Sequence, residues 1–348
     1  MSKRNSLVTP VRTGKAQPKR SRRNTVAFKG EPGNFTEAAA KQHFDRTYRE
    51  EIDTRGFTSF LGVFNCVKEG STDYGIVPIE NSASGTLHSV YDELLNSELY
   101  VVGECSRLEE HCLCAPAGTT KEEITNIISH PAMFEQCSEF LSTLDATKQI
   151  SREAFWDTSG ACSKIKDCGH KNAAAICARE AAYAHRFTIL EEGIGNDKNN
   201  ETRYLLIARK EYELPELTLD SRIKMKCSIA VALKNEPNAL FRMVSCFGIR
   251  NINIHKMESR PAATAAKTTF KATKDDGSDE DDNVIKHWDY IFYVDFEPSW
   301  SKRINENLMN SLVEFSMGVR NFGNYVENLP DVVALHSPWH GVADLSAY

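Results

Sequence analysis

Apolar positions along this chain follow two alternating rhythms. Short apolar runs, bounded by turn-forming residues, read as buried strands at Thr25–Phe28, Tyr74–Ile79, Tyr100–Cys105, Glu110–Ala115, Ile127–Ser129, Ala154–Trp156, Ala173–Ile176 and from Thr202 to Ala208. Between them the spacing becomes helical. Leu87, Val90, Tyr91, Leu94 and Leu95 stripe one face, as do Met133, Phe134, Cys137, Phe140 and Leu141. Ala38–Ala40 are strong helix formers, Arg179–His185 reads as a further helix, and Thr120-Lys121-Glu122-Glu123 fits a capping box. The alternation predicts an α/β architecture with parallel strands.

A polar connector, Glu211–Asp220, contains Pro215 and ends this pattern. Beyond it come a strand (Cys227–Leu233), a helix striped by Leu240, Met243, Val244 and Phe247, strands at Asn253–Met257 and Tyr290–Phe296, a helix marked by Ile304, Leu308, Leu312 and Phe315, and a strand within Gly318–Tyr325. The order βαββαβ predicts a ferredoxin-like unit. The acidic run Lys274–Asp282 between its second and third strands reads as a solvated loop.

Composition narrows the classes. A chain of 348 residues, 41% hydrophobic, suggests two or three domains with packed cores. The net charge of -6 gives no reason to expect nucleic acid, and no apolar run is long enough to span a membrane. The ten cysteines mostly lie in apolar patterns and read as reduced core thiols. Cys112-x-Cys114 lacks zinc-knuckle spacing, so no metal is expected. Neither a P-loop nor a full dinucleotide fingerprint is present. The residues before Glu31 are basic and acid-free, as in a disordered tail or an organellar transit segment, which leaves the cytosol and a plastid both open.

Candidate chemistry gathers at the strand ends. The loop Gly30–Thr36 would present backbone N–H groups to an anion, with Thr36 as a helix cap. Asn81, Ser82, Ser84 and Thr86 crowd the end of the Tyr74–Ile79 strand, where open α/β folds place ligands; helix capping alone would use one of them. Ser129 and Gln136 flank His130, which reads as a structural turn residue, and Thr158 and Ser159 open another helix. Thr202 sits where a strand emerges: a hydroxyl held by the sheet and open to a ligand, or a β-branched strand starter beside a surface ion-pair partner, Arg203. These turns are expected to converge on one cleft.

From about Thr25 to about Tyr325 the chain resembles the prephenate dehydratases and the related arogenate dehydratases. The resemblance rests on Pro78-Ile79-Glu80-Asn81-Ser82, Ser129-His130-Pro131 with Gln136-Cys137, Thr202-Arg203-Tyr204, and Glu258-Ser259-Arg260-Pro261, the ESRP signature of a regulatory ACT domain. The chain departs from the family at Ala132, usually Gln, at Tyr204, usually Phe, and at Asn238 in Asn238-Ala239-Leu240, usually Gly, a change that bears on effector geometry. The resemblance implies a tail (1–24), a two-lobed catalytic domain similar to a periplasmic binding protein (25–210), a linker (211–224), an ACT domain (225–330) and a C-terminal tail (331–348).

It also implies the chemistry: cofactor-free, metal-free removal of carbon dioxide and the ring hydroxyl, giving phenylpyruvate from prephenate or phenylalanine from arogenate. Thr202 is then the candidate proton donor, and Glu80, Asn81, Ser82, Ser129, Gln136, Thr158, Ser159 and Arg203 are candidates to hold the substrate. Arg203 is equally open to a structural ion pair. Phenylalanine is the implied effector, at Asn238, Ala239, Leu240, Phe241, Glu258, Ser259, Arg260 and Pro261, in a homodimer or homotetramer. The competing reading is a non-catalytic amino-acid-binding regulator.

Overall fold

The structure, a computed structural model, describes residues 23–48, 50–146, 149–210, 224–262 and 289–327. The N-terminal tail as far as residue 22, most of the expected linker, the acidic run Lys274–Asp282 and the expected C-terminal tail lie outside the described residues.

A first lobe is formed by β1 (Thr25–Lys29), α1 (Phe35–Tyr48), β2 (Asp53–Phe57), α2 (Phe60–Lys68), β3 (Tyr74–Asn81), β4 (Gly85–Thr86), α3 (His88–Asn96) and β5 (Tyr100–Leu108). The chain crosses to a second lobe of β6 (Cys112–Pro116), β7 (Asn126–Ser129), α4 (Pro131–Gln136), α5 (Ser138–Asp145), β8 (Ser151–Ala154), α6 (Thr158–Asp167), β9 (Ala173–Cys177), α7 (Arg179–His185) and β10 (Phe187–Glu191). It returns as β11 (Glu201–Ala208) to the middle of the first sheet, whose order is β2-β1-β3-β11-β5; the second sheet runs β10-β6-β9-β7-β8.

The return strand corrects the all-parallel expectation. β1, β2 and β3 pair in parallel, but β11 runs antiparallel to both β3 and β5, because it enters the first sheet from the opposite lobe. In the second sheet β6 is likewise antiparallel to β9 and β10. The single helix expected over Met133–Leu141 is two, broken at Cys137. Asn34, rather than Thr36, caps α1, its Oδ1 accepting the Glu37 N–H at 2.9 Å.

Period-two alternation explains the stacking on the first sheet. Val26, Phe28, Ile76, Tyr204 and Leu206 pack with Ala39, Ala40 and Phe44 of α1. Ala27, Val77, Ile79, Leu205 and Ile207 face the other way, toward Val63, Val67, Tyr91 and Leu94 of α2 and α3. That second face is also covered by the C-terminal unit: β12 (Met225–Leu233), α8 (Ala239–Gly248), β13 (Ile254–Pro261), β14 (Tyr290–Phe296), α9 (Lys302–Phe315) and β15 (Gly318–Val326), in sheet order β13-β14-β12-β15. Ala230, Ala232, Ile291, Tyr293, Phe322 and Tyr325 share the core of the first lobe, while Ile229, Val231 and Val294 pack on Met243, Phe247, Leu308 and Leu312 of α8 and α9. The β12 strand is buried on both faces, and the C-terminal unit is joined to the first lobe by a common core.

Asn238 precedes α8 with φ 67, in the left-handed region. Glycine enters this region without steric cost and Asn tolerates it, so the departure from the family's glycine keeps the backbone turn. Asn238→Ala is expected to destabilise by about 1 kcal/mol and Asn238→Gly to be neutral or stabilising, read from urea-unfolding midpoints.

Candidate active site

β11 brings Thr202 directly opposite Asn81 at the end of β3. The Asn81 side-chain amide donates to Thr202 Oγ1 at 2.8 Å and to Asn200 Oδ1 at 2.7 Å. Its oxygen accepts the backbone N–H groups of Ala83 (3.0 Å) and Ser84 (2.8 Å), which closes the turn into β4. Gln136 reaches across from the second lobe, donating from Nε2 to Ser84 Oγ at 2.9 Å and to Asn81 Oδ1 at 3.4 Å. Gln136 Oε1 accepts from Asn200 Nδ2 at 3.2 Å and lies 2.6 Å from His111 Nε2. Thr202 and Asn81 are both buried, at 4% and 6% exposure. Thr202 Oγ1 acts as acceptor toward Asn81, and among the described residues no acceptor claims its own proton.

A second contact between the lobes lies at the glycine loop. Asp157, which caps α6, accepts the backbone N–H of Glu31 at 3.1 Å, the Asn34 side-chain amide at 3.1 Å and the Gly160 N–H at 2.9 Å. Gly33 N–H donates to Glu37 at 2.5 Å. Of the loop N–H groups expected to face a bound anion, those of Glu31 and Gly33 are thus engaged by the protein's own carboxylates, and those of Gly30 and Asn34 donate to the Phe57 and Glu31 carbonyls. Gly30 has φ +122, and a Cβ there would lie 2.4 Å from Asp157 Oδ1, so the close approach of the lobes requires glycine.

Other predicted residues fall outside the cluster of Thr202, Asn81 and Gln136. The Ser129 hydroxyl is fully buried and donates to the Ile176 carbonyl at 2.6 Å. Ser159 Oγ, also fully buried, donates to the Pro32 carbonyl at 2.5 Å and lies 3.0 Å from His185 Nε2. Ser82 Oγ accepts the Glu201 N–H at 2.9 Å, pinning the start of β11. Thr158 is buried at the start of α6. His130 caps α4 as a turn residue should, its Nδ1 accepting from the Ala132 N–H at 3.3 Å, and burial pushes its pKa down, which leaves it neutral at pH 7. The hydroxyl that Tyr204 adds to the family's Phe donates to Glu109 at 2.9 Å.

Arg203 and Glu80 face away from this cluster. Neighbours on a strand point to opposite faces, so Arg203 turns away from Thr202 toward the C-terminal unit. It donates to Glu104 at 2.8 Å and to Asp295 at 2.9 Å and lies 3.4 Å from Glu80. Burial opposes its charge, but Asp295 and Glu104 outweigh this and raise its pKa. Glu80 pairs with Lys256 of β13 at 2.5 Å. Both side chains are engaged in joining the C-terminal unit to the first lobe.

The expected effector residues divide by the same alternation. Glu258 accepts from Thr86 Oγ1 at 2.8 Å and pairs with His88, and Arg260 pairs with Asp92 at 2.6 Å, all toward the first lobe. Ser259 is exposed on the opposite face. Pro261 pairs with Tyr290, which pairs with Leu233 just before the segment leading to α8, so the ESRP end and Asn238–Phe241 share one end of the sheet. Leu240, Phe241, Val244 and Met257 are exposed at 43%, 72%, 36% and 44%.

Fold and cleft together define a family. The chain belongs to the prephenate dehydratase family: the family profile described as "Prephenate dehydratase" matches residues 26–212. It is 33% identical over 322 residues to "Arogenate dehydratase/prephenate dehydratase 6, chloroplastic" of Arabidopsis thaliana, covering 92% of this chain and 72% of that one. Among solved structures it is similar to a prephenate dehydratase from Arthrobacter aurescens in complex with L-Phe, with a TM-score of 0.71, 24% identity, and coverage of 90% and 93% of the two chains. It is also similar to a structure described as GqqA, a quorum quenching acylase, with a TM-score of 0.70, 22% identity, and coverage of 88% and 98%. At these identities the structural likeness speaks for the fold.

Proposed function

We propose that this protein is a prephenate dehydratase that uses the Thr202 hydroxyl to protonate the departing ring hydroxyl. The observation carrying this is the Asn81–Thr202 hydrogen bond at 2.8 Å, in which Asn81 donates. That bond fixes the Thr202 oxygen and points its proton away from Asn81. As the C–O bond breaks, its electron pair leaves with the hydroxyl, which takes the Thr202 proton and departs as water, and a proton from solvent then restores the Thr202 hydroxyl. The bond to the ring carboxylate breaks at the same time, its electrons enter the ring, and carbon dioxide is released. Aromaticity supplies much of the driving force, so the protein has to orient the ring and assist one leaving group. Asn81, Ser84 and Gln136 hold the polar wall around Thr202; Ser129, Ser159 and Arg203 act as supports.

Purified protein given prephenate should yield phenylpyruvate, read by its absorbance in alkali. A parallel assay with arogenate tests the second reading, which the names of the relatives favour: direct formation of phenylalanine. The name of the Arabidopsis relative likewise supports a plastid location. A non-catalytic regulator would bind these compounds and turn over neither.

The C-terminal unit is read as an ACT domain through which phenylalanine inhibits. The βαββαβ order, the ESRP strand and the exposed apolar face of Leu240, Phe241, Val244 and Met257 support an effector seam between two copies of the chain. Lys256 donates to Thr86 at 2.8 Å and pairs with Glu80, which ties this strand to the turn that carries Asn81. Lys256→Met is therefore expected to weaken phenylalanine inhibition, within the ~5–150-fold range of ordinary coupling, and to leave uninhibited turnover in place. Turnover assayed against phenylalanine concentration checks this. Removing the whole unit is a poorer test, because it would uncover the apolar face of Val77, Leu205 and Tyr91.

A further inference from the structure

The reaction proposed above starts from a dianion, yet the cations near the cleft are mostly paired. Arg203 is held by Glu104 and Asp295, Lys256 by Glu80, Arg107 by Glu180, and Arg179 by Glu110 and Glu192. Lys29, the last residue of β1, is different. Its ammonium lies 5.1 Å from the centre of the Phe60 ring and, among the described residues, makes neither an ion pair nor a hydrogen bond. Asp157 and His130 of the second lobe lie within its electrostatic reach. The Asp157 carboxylate is already engaged by Glu31, Asn34 and Gly160, and His130 is neutral. A half-buried positive charge therefore stands between the lobes without a direct counter-charge.

We propose that the Lys29 ammonium binds the side-chain carboxylate of the substrate, the one retained in the product. This rests on the dehydratase reading of the cleft. Position supports it. β1 lies beside β3 in parallel, with Ala27 next to Gly75, and continuing that register puts Lys29 level with Val77, four residues, or roughly 13 Å, short of Asn81. That offset is of the size a lysine side chain and a ring-sized substrate would bridge together, with the ring hydroxyl at Thr202 and the side chain, para to it, toward Lys29. Chemistry decides between the two carboxylates. The ring carboxylate must give up its negative charge as carbon dioxide leaves, so an ammonium paired to it would stabilise the ground state and slow the reaction. The side-chain carboxylate keeps its charge throughout. Binding it is uniform along the reaction path, so Lys29 acts on KM and leaves kcat unchanged.

The test is Lys29→Met, Lys29→Gln and Lys29→Arg in the full chain, with thermal melts to establish folding. Loss of a charge-assisted hydrogen bond should raise KM roughly 10–100-fold in the Met and Gln variants at near-constant kcat. The Arg variant should recover most of the loss, and the inhibition constant of phenylpyruvate as product should rise in parallel. A KM within twofold of wild type in a folded Met or Gln variant overturns the proposal, as does a loss confined to kcat. If the wild-type protein turns over neither prephenate nor arogenate, the functional reading fails, and calorimetric titration with phenylpyruvate decides about Lys29 separately. Binding by wild type that weakens 10-fold or more in Lys29→Met upholds the site; equal binding, or none to wild type, removes it.

Discussion

Thr202→Val is expected to lower turnover about 10²-fold or more while substrate binding stays within a few-fold of wild type. Valine keeps the β-branched shape that suits a strand and fills the same buried space opposite Asn81. What it removes is the hydroxyl, and with it both the acceptor for the Asn81 amide and the proton proposed to pass to the leaving group. A threonine hydroxyl is a weak acid in water, so its contribution has to come from fixed position in a buried setting, where a preorganised donor costs no reorganisation as the bond breaks. The Asn81 amide keeps Asn200 as a partner in the variant, so the fold should survive and the loss should fall on kcat. Steady-state kinetics with prephenate, beside an unchanged thermal transition, make the measurement. Turnover within a few-fold of wild type would exclude Thr202 as the acid.

The amino-acid sequence makes part of this cluster legible. Asn81, Gln136 and Thr202 stand out as polar positions at the ends of apolar runs, and the βαββαβ order of the C-terminal unit follows from periodicity. Asn200 and His111 were not singled out, because their importance comes from contacts with Gln136 across 64 and 25 residues, which leave no local period. The β2 strand was missed for a different reason. Asp-Thr-Arg-Gly-Phe lies at the sheet edge with most positions exposed, so it has no apolar pattern to detect. The antiparallel direction of β11 is not written in the sequence, because strand–helix alternation carries no information about a strand that returns from another lobe. The sequence leaves Arg203 open between substrate and ion pair, and the ion pair depends on the third sheet, which brings Asp295 to it from 92 residues away.

Arg203→Met should therefore act on stability before it acts on catalysis. Arg203 donates to Glu104 and Asp295, whose side chains are only 3% and 6% exposed, and Lys226 pairs with Glu104 at 2.8 Å. Ser228 donates to the other Asp295 oxygen at 2.6 Å. Removing the guanidinium leaves Asp295 with a hydroxyl as its partner and Glu104 with only Lys226. Breaking a buried charge network at one member typically costs about 3–5 kcal/mol, because the remaining charge stays buried and uncompensated. The cost falls on the contact between the first lobe and the C-terminal unit, since Glu104 lies on β5 and Asp295 on β14. A lower urea midpoint is the expected observation. Arg203→Met combined with Asp295→Asn should recover part of the loss, because the second change removes the stranded charge. Had Arg203 held a substrate carboxylate, the single variant would instead raise KM in a protein of normal stability. An unchanged unfolding midpoint with KM raised tenfold would return Arg203 to the substrate site and take the ion network out of the account of how the C-terminal unit is held.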